Sequence, residues 1–559
     1  MASSQVEPTV EADADPIALT ERAEVFLRDG QLIQSIKAAA QAADLDPGQE
    51  RTWLVLGRAC EAANDFPAAF SAYGQALSIG DGVTGFGAEM GRVALRVGEH
   101  AIAESVLSLY VQDVAPDTEV IANLARAQMA QGAYDRAQAT LTSGLEADAG
   151  RTRLWISLGE LLCLQGRYGQ STVFFEEALR LEPGSAPARA GLAEAVLHAE
   201  GDDERALQLS AEAVADAAGE DIAPIVAGHA RRLLATGRLA EGWAALARGA
   251  EPGAASLVAS KVAAPRWIPG EPLHGRLLLM GEPDLARELL VAHVVPGLIA
   301  EGLPLILAVA PEWMSLARRS FPEAAIAPRL GRTWLGETQQ AAELDTPLLH
   351  DGKFVAAWAP MRSMPSLGRG RIEDFAGRAP YLRPEGRRVR HWREWLASLG
   401  RGPKVGITWR QPGLDVTQPW EVPSLGDLQP ALATPGLRLV SLQDGEVADE
   451  AAIVGQSYGV TLHQPPGLVR GDLDDMAALA RALDVVVGPP GVKTYLAAGC
   501  GAPTWFLATR WHWARLGTDD LPWFPKATVI SADGSDWTAA MAELAQALAA
   551  LPASSAGRG

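Results

Sequence analysis

A 34-residue period runs through the first part of the chain and restricts that part to a stacked array of helical pairs. Trp53 and Trp155 stand in one register, Gly87 and Ile121 fall between them at 34-residue steps, and Leu19 stands one step earlier. Three and four residues after each marker, helix-packing slots recur as Leu56 and Gly57, Met90 and Gly91, Leu124 and Ala125, Leu158 and Gly159. Eleven residues on come Gly30, Asn64, Gly98, Gly132 and Gly166, types that end a helix by accepting a left-handed backbone. A sixth unit follows at 192–214 with a one-residue slip at Gly201, and a degenerate seventh at 226–249 keeps register through Gly237, Leu239 and Leu246.

Trp155, Leu158, Gly159 and Leu162 share one helix face, Gly166 ends that helix, and Tyr168, Phe175 and Ala178 mark its partner before Pro183. An earlier unit repeats the pattern with Trp53, Leu56, Gly57, Phe66, Tyr73 and Ala76. At these slots the chain resembles the tetratricopeptide repeat. The resemblance implies an all-α solenoid over 17–250 whose groove binds a protein segment. The aromatics of the pattern are then interior packing.

Length and charge limit the partners. The chain has 559 residues and a formal charge of −20, and no sustained Lys/Arg run interrupts it. A nucleic-acid surface needs a basic stripe, so that class is excluded. Cys60, Cys163 and Cys500 are far apart and lack metal-like spacing, which fits free thiols in a reducing compartment. Residues 1–16 are acidic, with no basic segment followed by an apolar one, so a disordered start and a cytoplasmic location are expected. The apolar stretch 277–309 is broken by Glu282, Asp284, Arg287, Glu288 and Glu301, which rules out a membrane span there. The tail 552–559 is mostly small and polar and is expected to be disordered.

Beyond the linker 251–272 the pattern changes to buried strands alternating with helices. Strands are predicted at 276–280, 305–309 and 354–358, then at 404–409, 437–442, 460–463, 484–487, 504–507 and 528–530. Two such series joined through 387–399 predict an α/β region of two doubly wound halves, 273–386 and 387–551. Ligands in such folds lie beyond the carboxyl ends of the strands.

Several segments carry a further resemblance: Val405 to Arg410, Leu439 to Gln443, Asp475 to Leu479, Ala497 to Trp505, Trp511 to Trp513, and Pro522 to Pro525. Together they are similar to the C-terminal half of heptosyltransferase-like glycosyltransferases, and 265–382 resembles the N-terminal half more weakly. The resemblance implies a GT-B fold of two Rossmann-like halves, with acceptor side first and nucleotide-sugar donor side second. It also implies inverting, metal-independent sugar transfer with no permanently bound cofactor. Among repeat-bearing relatives, the flagellin-modifying glycosyltransferases that transfer a nonulosonic sugar to Ser or Thr are the nearest fit.

Inverting transfer needs a base for the acceptor hydroxyl and groups that stabilise the leaving phosphate. In relatives a Gly-rich loop after the first strand carries the acidic base. Here that loop reads Gly281 to Glu288, with Asp284 and Ala286 replacing glycines and Arg287 standing where the acid is expected. Glu282, Asp284 and Glu288 are the candidate bases, and a solvated helix start accounts equally well for Glu282 and Asp284. On the donor side the candidates are Thr408, Trp409, Arg410, Gln443, Asp444, His463, Lys493, Thr494 and Trp511. Lys493 and Thr494 open a helix, where anions are favoured, but Pro489 and Pro490 remove two amide donors. Relatives carry Asp-Thr where this chain has Pro490 and Gly491, and His where it has Tyr495, which points to a different donor. A CMP-linked nonulosonic acid, with one phosphate and one carboxylate, would match Arg410 and Lys493. Three readings stay open: transfer to a protein docked on the repeats, transfer to lipopolysaccharide or another glycan, and a repeat scaffold without catalysis.

Overall fold

The computed structural model describes residues 15–552 apart from 81, 84, 114–116, 249–263, 268–270, 283, 335–336, 343–354, 367–369, 376–379, 411–420, 444–446, 469–470, 525, 533 and 535. Both predicted disordered ends lie outside the described residues, save 15–16 and 552. The chain divides into two compact units, Met1–Leu161 with Arg332–Gln339, and Leu162–Gly331 with Gln340–Gly559.

The first unit is helical: α1 (Pro16–Arg28), α2 (Leu32–Leu45), α3 (Glu50–Ala62), α4 (Phe66–Ile79), α5 (Gly87–Arg96), α6 (His100–Asp113), α7 (Thr118–Ala130), α8 (Tyr134–Ala147) and most of α9 (Thr152–Leu164). The predicted turn residues do what their types allow. Gly30, Asn64, Gly98, Gly132 and Gly166 have φ of 72°, 59°, 83°, 71° and 70°, so each reverses the chain in a left-handed conformation. The small slots permit close helix approach. A Cβ on Gly57 would lie 2.7 Å from the Tyr73 ring, and one on Gly91 2.4 Å from Leu107. The signature tryptophans also have a polar task. Trp53 Nε1 donates to the Pro47 carbonyl at 2.9 Å and Trp155 Nε1 to that of Ala149 at 2.8 Å, tying each helix to the turn before it.

The second unit begins with α10 (Tyr168–Leu181), α11 (Ala186–Glu200), α12 (Asp203–Asp216), α13 (Ile222–Ala235) and α14 (Leu239–Arg248). A sheet follows, built from β1 (Arg276–Met280), β2 (Leu305–Val309), β3 (Ala325–Trp334), β4 (Glu337–Ala342) and β5 (Val355–Pro360), with α15 (Leu285–Val291), α16 (Val295–Ala300) and α17 (Met314–Ser320) between strands. Its order is β4-β3-β2-β1-β5, and β1 pairs in parallel with both β2 and β5. Helix α18 (Gly386–Ser398) leads to the second sheet: β6 (Lys404–Ile407), α19 (Gln429–Leu432), β7 (Arg438–Ser441), α20 (Ala448–Tyr458), β8 (Leu462–His463), α21 (Leu473–Ala482), β9 (Val485–Gly488), α22 (Val492–Gly499), β10 (Thr504–Thr509), β11 (Thr528–Ala532) and α23 (Thr538–Ala549). Its order is β11-β10-β9-β6-β7-β8, with every pairing parallel. The fold is therefore an all-α tetratricopeptide-repeat array followed by an α/β region of two parallel-strand sheets, as expected. Strands β3 and β4 are additions that the sequence reading did not contain.

One hydrophobic core connects the end of the repeats to both sheets. It runs from Leu234, Leu239 and Trp243 through Leu277, Leu279 and Leu307 to Leu479, Val486 and Trp523. Trp243 meets Trp523 edge-on with ring centroids 5.9 Å apart, and Trp523 Nε1 donates to the Ala514 carbonyl. The turn between α13 and α14 fits just as tightly. A Cβ on Gly517, whose φ is 76°, would lie 2.5 Å from the Gly237 nitrogen. The last helical pair is thus part of the α/β core. Cys60 and Cys500 are buried and Cys163 is half-buried, none of the three is in a disulfide, and no described helix is long and apolar enough to cross a membrane.

Candidate functional site

Strand order reverses once in each sheet, and each reversal opens a crevice at the carboxyl ends of the strands. In the second sheet the crevice lies between β6 and β9. Thr408 leaves β6 here, buried, its amide donating to Val487 O at 3.1 Å. Gly488 ends β9 against it, where a Cβ would lie 2.3 Å from Thr408 Cγ2. Helix α22 then starts at Val492, and Lys493 and Thr494 in its first turn are both buried. Thr494 closes that turn on itself: its Oγ1 accepts from the Gly491 amide at 3.0 Å and donates to the Pro489 carbonyl at 2.7 Å.

Gln443, which follows β7, acts as a clamp on the 408–410 turn. Its Oε1 accepts from the amides of Trp409 and Arg410 at 3.1 and 2.9 Å, while its Nε2 donates to the Arg410 carbonyl at 3.0 Å. The structure therefore brings Thr408, Arg410, Gln443, Lys493 and Thr494 to one end of the sheet, with Gln443 and Thr494 holding backbone. Arg410 is exposed and its guanidinium reaches Glu450 at 2.8 Å. Asp444 lies outside the described residues.

Three other candidates stand apart from that crevice. Trp409 is buried in the core on the opposite face of the sheet, among Leu428, Leu432 and Val447. His463 pairs with Val440 on the short strand β8, and burial, with Arg438 and Lys404 nearby, holds its imidazole below the usual value. Trp511 carries the Arg510 guanidinium over its ring at 4.7 Å and lies beside Gly201 at the end of α11.

In the first sheet the reversal falls between β1 and β5, where Glu282 after β1 meets Arg362 after β5. Glu282 is fully buried. It accepts from the Arg362 amide at 3.0 Å and pairs with the Arg362 guanidinium at 2.9 Å. Glu288 is fully buried as well, its Oε1 accepting from Ala310 N at 2.7 Å and Trp313 Nε1 at 2.6 Å, its Oε2 from Arg329 at 3.1 Å. Burial pushes its carboxyl above the usual range even so. Asp284 caps α15 by accepting from the Ala286 amide at 2.9 Å. All three carboxylates are thus engaged in holding the fold.

A charged cluster that no local sequence pattern announces lies where α11 and α13 meet the segment after β6. Glu194 pairs with Arg232 at 2.7 Å and with His198 at 3.2 Å, and His198 stacks on Tyr168 with ring centroids 4.6 Å apart. Burial alone would raise the Glu194 carboxyl, but Arg232 and His198 hold it well below the usual range. Half-buried Glu421 lies within electrostatic reach of Glu194 and Arg231. Burial, and then Glu194, push its carboxyl up to about 8. The two carboxyls are thus shifted in opposite directions by their surroundings.

Protein FlbA of Caulobacter vibrioides is 32% identical to the chain over 527 residues, covering 93% of the chain and 87% of FlbA. The chain belongs to the FlbA family. An alignment of that length runs through both the repeats and the α/β region of this FlbA-family chain. No family model matches it. A tetratricopeptide repeat protein from Parabacteroides merdae is similar at 16% identity, covering 42% of the chain and 90% of that protein with a TM-score of 0.36. PilW, a type IV pilus biogenesis factor, is similar at 20% identity over 38% of the chain and all of PilW, with a TM-score of 0.32.

Proposed function

We propose that the chain is a protein O-glycosyltransferase: the repeats dock a protein acceptor and the α/β region transfers a sugar to its Ser or Thr from a nucleotide-sugar. The observation that carries this reading is the crevice between β6 and β9, where Thr408, Arg410 and a helix start bearing Lys493 and Thr494 converge. A strand-order reversal is where doubly wound sheets take nucleotides, and a helix start with a lysine favours the anion. Arg410 and Lys493 suit one phosphate and one carboxylate, so a CMP-linked nonulosonic acid is the proposed donor and flagellin the proposed acceptor. The test is intact-mass measurement of flagellins from cells with and without the gene, together with donor turnover by the purified full chain. Loss of the sugar mass and a drop in turnover of at least about tenfold in Arg410→Ala and Lys493→Ala are expected. Unchanged flagellin mass overturns the acceptor, and unchanged turnover in both variants overturns the site.

A second reading, a scaffold without catalysis, is favoured by the engagement of Glu282, Asp284 and Glu288 in the fold. No donor turnover by the full chain, with protein binding intact, would establish it in place of the first.

A further inference from the structure

Two sheet domains joined by a short connection ordinarily move against each other, unless the contact between them is large and apolar. Three observations place this chain in the second case. One hydrophobic core takes in residues of both sheets, from Leu277, Leu279 and Leu307 to Leu479 and Val486. The segment 380–386 that leads into α18 is bonded on both sides. The Leu382 amide donates to Gly499 O at the end of α22 at 2.9 Å, and the Arg383 amide to Ser320 Oγ on α17 at 2.9 Å. Arg319 adds a charge link, its Nε donating to the Arg383 carbonyl at 2.7 Å and its guanidinium pairing with Asp474 on α21.

The third observation is a node of rings around the fully buried Trp523. Its ring meets Phe375 and His293 of the first half with centroids 5.0 and 6.0 Å away, and Trp243 of α14 at 5.9 Å. Phe524, next in the chain, stacks at 5.9 Å on Tyr495 of α22, the helix that opens the β6–β9 crevice. The last helical pair thus reaches both halves. Toward the second half, the α13–α14 turn abuts the loop after β10 backbone to backbone, where a Cβ on Gly517 would lie 2.6 Å from Gly237 Cα. That loop is pinned by the buried Arg515 guanidinium. It donates to the carbonyls of Thr509, Thr518 and Asp519 at 3.1, 3.1 and 2.9 Å and to Ser531 Oγ at 2.7 Å. Leu516 beside it is held left-handed at φ 54°, a conformation that a leucine keeps only when its surroundings fix it. Toward the first half, Ala240 of α14 packs on Gly370, where a Cβ would lie 3.7 Å from Ala240 Cβ.

We propose that α13 and α14 are a strap that locks the two sheets at one separation, so that the cleft between them is pre-set by the fold and does not hinge. Opening the cleft would part Trp523 from Phe375 and His293 or from Trp243, exposing rings that packing now removes from water. The inference concerns the frame alone, so it holds or fails independently of sugar transfer.

The test is hydrogen exchange by mass spectrometry on the full chain. Gly517→Ala drives a Cβ against Gly237 and is expected to speed exchange at least about tenfold in 371–375 and 380–386 as well as in 510–524. The control Gly459→Ala, at a turn with φ 66° and nothing within 4 Å among the described residues, is expected to leave all three stretches at parent rates. Acceleration confined to 510–524 and the two helices overturns the proposal. A second measurement needs no loosened variant: electron–electron distances between spin labels at exposed Glu301→Cys and Ala433→Cys, one in each half, with half-buried Cys163→Ser to keep labels off that thiol. One distribution no wider than that of the control pair Glu301→Cys and Arg318→Cys, both in the first half, is expected. A wider distribution, or one with two maxima, overturns the lock.

Discussion

At the scale of residues, the strand-end positions separate what a sequence can state from what it leaves open. Thr408, Gln443 and Thr494 stand at slots where a ligand would be held, and those slots were legible because strands of this kind end in a recognisable way. What the side chains do there was not legible. A glutamine after β7 satisfies the 408–410 amides or a nucleotide with the same atoms, and only the distances of 2.9–3.1 Å decide that it holds backbone. Trp409 is a similar case, since a tryptophan after a buried strand packs equally well on core or ligand. The pair Glu194 and Glu421 left no trace at all, being brought together by the fold across more than two hundred residues. That pair gives a pH-dependent prediction. Glu421 has an ordinary value of 4.5 and a folded value of about 8, so between these the folded chain keeps a proton that the unfolded chain releases. Stability should therefore fall as pH rises through that window, by on the order of 1–3 kcal/mol. His512, pushed down to about 4 by burial and Arg515, acts in the opposite sense, but only below its ordinary 6.5. Urea unfolding of Glu421→Gln from pH 6.5 to 9 should show a flatter profile and a gain over the parent at pH 8. An unchanged slope would mean that the Glu421 carboxyl ionises normally in the folded chain.

At the scale of elements, periodicity carried the helices and buried apolar runs carried the central strands. Strands β1 and β2 occupy the predicted 276–280 and 305–309, because an interior parallel strand must be apolar on both faces. Strands β3 and β4 were missed for the converse reason. Their sequences, Ala325–Trp334 and Glu337–Ala342, are rich in polar residues and include Pro328, as strands toward the edge of a sheet commonly are. Helix α14 carries the more consequential surprise, since its weak repeat signature gives no hint that Trp243 lies in the α/β core. Trp243→Ala removes a buried indole packed on Trp523 and is expected to cost about 3–5 kcal/mol. Trp155→Phe, which loses the bond to the Ala149 carbonyl and some packing, is expected to cost about 1 kcal/mol. Near-UV circular dichroism and urea unfolding of both variants would check this. Equal small costs would contradict the shared core.

At the scale of the whole molecule, the two compact units do not divide where the repeats end. The second unit starts at Leu162 and contains α10 to α14, the whole second sheet, and the first sheet apart from Arg332–Gln339. Removing every repeat from a truncated chain would therefore strip Leu234, Leu239 and Trp243 from the core and leave Trp523 without one of its edge-on partners. A truncation that tests the division of labour has to respect this. A chain starting at residue 167 keeps α10 to α14, while one starting at residue 251 loses them. The first is expected to stay soluble with a cooperative unfolding transition. The second should expose several large apolar side chains and aggregate, because a contiguous apolar patch of that kind is an association surface. The longer fragment then separates the two halves of the proposed function. It lacks α1 to α9, yet keeps the β6–β9 crevice, so it should turn over the donor while failing to modify the protein acceptor. If it modifies the acceptor as fast as the full chain does, acceptor choice resides in the second unit, and the 34-residue array of the first serves some other binding.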